Sequence, residues 1–243
     1  MYFITTRTFP PENGGMQILM GGLANALSKH GFLKVFAEKT NGDEEYDKQV
    51  NYEISRISGL KILRKYRKAN LIKDYLKNNQ NTKVIIADHW KSLENINSEI
   101  LKGKKTLCLI HSKEINHPVG TILNRRMIKS FQKADFIISN SNYTKELAIK
   151  LNINNKKIKV INPGVKKYEK PTNENINKAR QIFGDAFPKI ITVARFDKRK
   201  NHEKVIMIIR NLKEKFPKIK YLCIGYGKEE NNLIKLVKEL NIE

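Results

Sequence analysis

The stretch KIITVARFDKRKNHEKVIMIIRNLKEKFPKIKYLCIGYG, residues 189–227, carries the deciding pattern. Ile190 to Ala194 is a short apolar run rich in β-branched residues, which predicts a buried strand. Arg195 follows directly, and a polar turn from Phe196 to Asn201 brings Lys198, Arg199 and Lys200. Val205, Ile209, Leu212 and Phe216 then recur at helical spacing. Tyr221 to Ile224 predicts a second buried strand, ending in Gly225-Tyr226-Gly227. In an open parallel sheet, ligands bind beyond the carboxyl ends of the strands. Arg195 falls at such an end, and Lys200 falls just before a helix N-terminus, where backbone N–H groups favour anions. An Arg that can fork onto phosphate oxygens, with a Lys as a point charge, suits a diphosphate.

The same alternation runs through the rest of the chain. Tyr2-Phe3-Ile4 is a brief strand, and Pro10-Pro11-Glu12-Asn13-Gly14-Gly15 leads into a predicted helix. That helix has Met16, Leu19, Leu23, Ala26 and Leu27 on one face and Gly31 as its stop. Leu33 to Ala37 is the next strand, completing a βαβ unit whose paired glycines let backbone approach a ligand closely. Further strands are expected at Val84–Ala87, Thr106–Ile110, Phe136–Ile138 and Ile158–Ile161. Strands alternating with helices imply a parallel sheet covered on both faces. His89 and His111 each follow such a strand. A histidine there can serve the cleft or cap a helix, and for His89 both readings stand.

These segments resemble GT-B retaining glycosyltransferases of the family-4 type. The resemblance is carried by VARFDKRKNHEKVI, by IGYGKEENNL, by the opening FPPENGGMQILMGGLANALSKHG, by LCLIHS and by VINPGV. It implies an α/β, GT-B-like fold: a complete N-terminal Rossmann-like domain over residues 1–164 on the acceptor side, and a partial nucleotide-sugar-binding domain over 165–243. It also implies transfer of a hexose from a nucleotide-diphosphate sugar to an acceptor hydroxyl in glycan or glycolipid synthesis. Arg195 and Lys200 match the family's diphosphate-binding Arg and Lys. Gly14 and Gly15 match its Gly-Gly loop facing the donor phosphates, and His111 matches the imidazole that contacts the transferred sugar. Gly225 and Gly227 join His89 as further cleft candidates. The resemblance implies no protein nucleophile, the leaving phosphate taking the acceptor's proton, and neither a cofactor nor an obligatory metal.

The resemblance covers nearly the whole chain, yet the chain covers about two-thirds of the family's length. The family's later Glu-x7-Glu motif has no counterpart, since Glu229 and Glu230 are adjacent and too early. The alternative reading is therefore a non-catalytic truncated product, or one half of a split enzyme completed by a partner chain.

Composition bounds the other classes. The chain has 243 residues, 40% hydrophobic, with a formal net charge of +23. The excess is spread, with 19 basic against 10 acidic residues in 166–243 and 28 against 14 in 1–165. Such a surface invites anionic partners, but no zinc motif, RNP-like strand or helix-turn-helix signature supports nucleic acid. Cys108 and Cys223 lie inside apolar runs and are expected as buried free thiols. No run of about 18 apolar residues and no signal-peptide pattern occur, so a cytoplasmic protein is expected. Residues 60–76 predict a basic amphipathic helix, with Leu63, Tyr66, Ile72 and Leu76 as apolar positions and Arg64, Lys65, Arg67, Lys68 and Lys73 as cations. That pattern suits either an anionic membrane surface, peripheral at the inner face, or a helix packed on the sheet with a solvated charged face.

Overall fold

The computed structural model describes residues 1–165 and 168–243. Internal contacts divide the chain into two units, Met1–Lys166 and Lys167–Glu243. The first unit begins β1 (Tyr2–Thr5), α1 (Gly15–Ser28), β2 (Leu33–Glu38), α2 (Asp43–Lys48), β3 (Glu53–Ile57) and α3 (Lys61–Asn78). It continues with β4 (Val84–Ala87), α4 (Trp90–Glu94), α5 (Ser98–Leu101), β5 (Lys105–Ile110), α6 (Ser112–Ile115), α7 (Ile122–Gln132), β6 (Phe136–Ser139), α8 (Asn142–Lys150) and β7 (Ile158–Val160). The second unit holds α9 (Asn173–Phe183), β8 (Lys189–Val193), α10 (His202–Lys215), β9 (Lys220–Ile224) and α11 (Glu230–Glu239).

The seven strands of the first unit form one parallel sheet in the order β3-β2-β1-β4-β5-β6-β7. Consecutive residues of its central strands point to opposite faces, and each face has its own apolar layer. Phe3 and Ile85 pack into a cluster with Ile72 and Leu76 of α3, Trp90 of α4 and Met127 of α7. Ile4 and Ile86 join the opposite cluster with Met20 and Ala24 of α1. This two-sided burial explains why β1 and β4 read as unbroken apolar runs. The order reverses direction beside β1, which has β2 on one side and β4 on the other. The carboxyl ends of β1 and β4 therefore flank the topological switch point, where open α/β sheets bind ligands.

The sheet gains an edge strand, β3, that the sequence reading omitted; its segment EISRI carries Glu53 and Arg56 between apolar residues. The buried line of α1 runs through Met20, Gly21 and Ala24, while Ala26 is exposed. Gly21 is selected by packing, because a Cβ there would lie 2.7 Å from Pro10 Cγ. In α3 the expected cation Lys68 is buried, and its ammonium donates to Thr6 O at 2.9 Å. The charged face therefore lacks one of its anticipated members. The aliphatic stem of a lysine lets it line a core while the amine finds a carbonyl.

In the second unit β8 and β9 pair in parallel, Lys189 opposite Lys220. Both were expected to be buried. Instead Ile191, Val193 and Ile224 are 52%, 74% and 46% exposed. A two-stranded sheet with its helices covers one face only, so alternate residues meet solvent. Cys223 is accordingly half-buried, whereas Cys108 in the seven-stranded sheet is fully buried; both are free thiols.

Phe3 is fully buried, with ring centroids 5.2 Å from Phe36 and 5.8 Å from Tyr75. Phe3→Ala should destabilise the first unit by about 3–5 kcal/mol through lost transfer energy and a cavity. Urea unfolding followed by circular dichroism measures it, and a loss below about 1 kcal/mol would contradict this packing.

Candidate functional site

The switch point is organised by a carboxylate. Asp88 follows β4 directly and is 2% exposed. Its Oδ2 accepts from Thr6 Oγ1 at 3.0 Å and from the Arg7 backbone N–H at 2.9 Å, and its Oδ1 accepts from Ser92 Oγ at 2.6 Å. The Arg7 N–H and the Ser92 hydroxyl, with the Thr6 hydroxyl shared with Thr8 O at 2.7 Å, satisfy a group that would otherwise be costly to bury. They also fasten the loop after β1 to the start of α4. Lys68 of α3 completes the arrangement from the third side through Thr6 O. Burial pushes the Lys68 ammonium down, while Asp88 and Glu38 oppose that shift.

His89 is the N-cap of α4, with Nδ1 accepting from the Lys91 N–H at 2.9 Å. The helix-capping reading of His89 is thus observed directly. Burial, reinforced by Arg7 and Lys91, lowers its pKa to about 3, so the ring is neutral near neutral pH. Its indole neighbour Trp90 is fully buried and donates Nε1–H to Glu114 O at 3.0 Å.

His111 follows β5 and precedes the short helix α6. Its Nδ1 lies 3.3 Å from Asn140 Nδ2. An amide that donates to Nδ1 leaves the ring proton on Nε2. That Nε2 is buried and has no hydrogen-bond partner among the described residues. Burial lowers the His111 pKa despite the opposing charge of Asp88, which favours the neutral ring.

Glu114 lies one turn on, and its carboxylate accepts the His111 backbone N–H. Burial raises its pKa to about 7, against backbone hydrogen bonds that lower it. Asp88 and Glu114 were not singled out from the sequence. Asp-His-Trp after an apolar strand and Glu three residues beyond His111 were the available signals, the second being a capping-box spacing.

Gly14 and Gly15 begin α1. Neither has a left-handed backbone, and a Cβ at Gly15 would meet nothing within 4 Å. Nothing in the fold thus demands glycine at 15; its absent side chain leaves the backbone open to an approaching group. No side chain caps this helix, so its first-turn N–H groups are unclaimed by a cap.

In the second unit Arg195 lies two residues beyond β8, 61% exposed, with Nη2 3.6 Å from Asp197 Oδ2. Lys200 closes a 3₁₀ turn, Lys198–Lys200, and is exposed. Asn201, left-handed at φ 59°, then starts α10 without a side-chain cap. Both cations therefore project from one βα loop. Gly225 and Gly227 are required by contact between two loops. A Cβ on Gly225 would stand 2.0 Å from Ala194 O, and one on Gly227 would stand 2.6 Å from Phe196 O. The loops after β8 and β9 are joined by Phe196 N–H to Tyr226 O at 2.9 Å and Glu229 N–H to Phe196 O at 3.0 Å. These glycines let the two loops touch and hold the Arg195 loop in shape.

The family model described as Glycosyltransferase Family 4 matches residues 13–167. The chain belongs to glycosyltransferase family 4. A second model, Glycosyl transferases group 1, matches residues 173–243. No curated protein matches the chain. Among solved structures, Anabaena Alr3699/HepE in complex with UDP is similar over 99% of this chain and 66% of its own, at 16% identity and a TM-score of 0.77. The same protein with UDP-glucose gives a TM-score of 0.74 at 15% identity, over 100% of this chain and 67% of its own. A glycosyltransferase from Rickettsia africae is similar over 99% of this chain and 66% of its own, with a TM-score of 0.74 and 16% identity. A GtfA/B complex matches 72% of this chain and 36% of its own, with a TM-score of 0.54 and 18% identity. At these identities the likeness is one of fold, the GT-B glycosyltransferase fold. This family-4 chain spans about two-thirds of the length of the first three structures.

Glu114 gives a pH test. A carboxyl whose folded pKa is about 7 against an ordinary 4.5 is protonated longer in the folded state. Stability should then fall as pH rises from about 4.5 to about 7, and level off above. Glu114→Gln removes this slope. The difference between wild type and variant should change by about 1–3 kcal/mol across that window. Taking the difference cancels the opposite contribution of His89, whose depressed pKa costs stability below about 6.5. Urea unfolding at pH 5 and 7.5 decides it; parallel curves would show that Glu114 is not desolvated.

Proposed function

We propose that this family-4 chain carries the machinery of retaining transfer of a hexose from a nucleotide-diphosphate sugar to an acceptor hydroxyl. The observation that carries the reading is the exposed Arg195-to-Lys200 loop at the carboxyl end of β8, opening onto the uncapped start of α10. Its chemistry is that of a diphosphate site: a forked cation, a point cation and free helix N–H groups. That Alr3699/HepE is seen with UDP and with UDP-glucose supports a nucleotide-sugar as the class of donor.

In this reading Arg195 and Lys200 bind the donor diphosphate and stabilise the negative charge that grows on it as the anomeric C–O bond breaks. Preorganised charge of this kind is usually the largest part of catalysis. In the first unit the uncapped Gly15 N–H is open to a donor phosphate, with Gly14 keeping the backbone accessible. His111, following β5, positions the transferred sugar. The acceptor oxygen bonds to the anomeric carbon on the face the diphosphate leaves, and the leaving phosphate oxygen takes the acceptor proton. No step needs a protein nucleophile or a metal.

A second reading concerns where the reaction happens. Leu60, Ile62, Leu63 and Tyr66 are 75%, 78%, 59% and 51% exposed, beside the exposed cations Lys65 and Arg67. Apolar and basic side chains together at the start of α3 support a peripheral contact with an anionic membrane, each cation adding about 1 kcal/mol. Arg64 is a weaker contributor, since its Nη1 pairs with Glu38 Oε2 at 2.8 Å. Among the described residues no helix is long and apolar enough to cross a membrane. The exposed Ile191 and Val193 of β8 also support further polypeptide packing on the second unit, from a partner chain or otherwise.

Two measurements test these readings. Arg195→Ala and Lys200→Ala should each weaken UDP binding by about tenfold or more without unfolding, both side chains being exposed. Isothermal titration reads it, and wild-type affinity in both variants would remove the donor assignment. Leu63→Ser combined with Arg67→Glu should abolish co-sedimentation with vesicles containing anionic lipid. Equal pelleting of folded wild type and variant would leave a soluble acceptor.

A further inference from the structure

The first unit contains a basic cavity that the donor reading does not use. It measures about 280 Å³ and opens beside the carboxyl ends of β1 and β2, between α3, α4 and α7. Five cations line it: Arg7, Lys65, Lys68, Lys91 and Arg126. Only two carboxylates, Glu38 and Glu94, face them.

Both carboxylates are already engaged. Glu94 spends its two oxygens on Arg126, at 2.6 Å from Nε and 3.1 Å from Nη2. Glu38 pairs with Arg64 at 2.8 Å and reaches Arg7 at 3.9 Å. Lys68 is turned to Thr6 O. Lys65 and Lys91 are left with no carboxylate within ion-pair distance among the described residues, each ammonium resting instead near an aromatic ring. Lys65 Nζ is 4.8 Å from the Tyr66 centroid, and Lys91 Nζ is 5.1 Å from that of Trp90. Burial lowers the Lys91 pKa, the charges of Arg7, Arg126 and Lys65 push the same way, and Glu94 opposes them. The cavity thus holds an uncompensated positive field in a partly desolvated place, where a bound anion gains most. Asn95 adds a neutral hydrogen-bonding group, and Ile62 and Ala69 supply an apolar wall.

We propose that this cavity binds a phosphate or diphosphate group carried by the acceptor, with Lys65 and Lys91 as its principal contacts and Arg7 and Arg126 as flanking charges. More than one uncompensated cation matches a multiply charged phosphate better than a single carboxylate. The acceptor role rests on the glycosyltransferase reading above; the anion site itself does not.

The test separates the two. Inorganic pyrophosphate is titrated calorimetrically into a variant already lacking the donor cations, Arg195→Ala with Lys200→Ala. Binding should persist there and weaken about tenfold on adding either Lys91→Gln or Lys65→Gln, a reasonable loss for truncating one side of a charged contact. Lys65 is exposed, so its variant stays informative even if Lys91→Gln perturbs folding. UDP titrated into the two single lysine variants should bind as in wild type, so a failed donor assignment and a failed anion pocket leave different records. Farnesyl diphosphate as a second probe distinguishes sources. Affinity well above that of pyrophosphate, lost in Ile62→Ser, indicates a lipid-borne group, and equal affinities indicate a soluble phosphorylated acceptor. Absence of pyrophosphate binding in the donor-site variant, or binding untouched by both lysine substitutions, would overturn the proposal.

Discussion

The buried carboxylate of Asp88 is the constraint on which the first unit's working edge depends. An anion can sit at 2% exposure only if its oxygens are satisfied, and here the donors come from two separate segments. Thr6 and Arg7 belong to the loop leaving β1, and Ser92 belongs to α4. Meeting the carboxylate's requirement therefore fixes the loop against the helix at the point where the strand order reverses. Lys68 draws α3 onto the same knot through Thr6 O. The basic cavity and the helix-capping His89 both border this arrangement.

Much of the fold was legible because buried parallel strands leave a plain mark. Val84-Ile85-Ile86-Ala87 has apolar layers above and below, so every position is hydrophobic and the run is conspicuous. The edge strand β3 lacks that mark. Glu53 pairs with Lys34 at 3.0 Å and Arg56 is held by Asp47 at 2.7 Å, so its charges are structural but read as loop. β8 shows the converse. Its β-branched composition predicts burial, whereas burial depends on what else packs against the strand. Asp88 and Glu114 were passed over for a related reason. A carboxylate becomes informative through desolvation and through its donors, and neither is written in local sequence. Lys68 in its row of cations differs from Arg67 only by which way the helix turns.

The glycines divide along similar lines. Gly225 and Gly227 are required by contact, since any side chain would strike Ala194 or Phe196 backbone. Gly15 is required by nothing within the fold. In sequence the two pairs look alike. Only the surroundings separate a glycine that closes the protein onto itself from one that leaves its backbone open, and the open one stands at the start of α1.

The strand order has a consequence for how the molecule breathes. β1, β4 and β5 are interior strands, hydrogen-bonded on both sides, whereas β3 and β7 form the two rims of the sheet. Opening a rim exposes one ladder, but freeing β1 or β4 requires breaking two ladders and both apolar layers. Amide protons of Phe3, Ile4, Ile85 and Ile86 should consequently exchange only through global unfolding, with those of Glu53–Ile57 exchanging through smaller fluctuations. The residues that follow β1, β4 and β5, from Arg7 to Asp88 and His111, are thus mounted on the slowest-exchanging part of the chain. Whatever mobility recognition requires must come from the loops and helix ends beyond these strands.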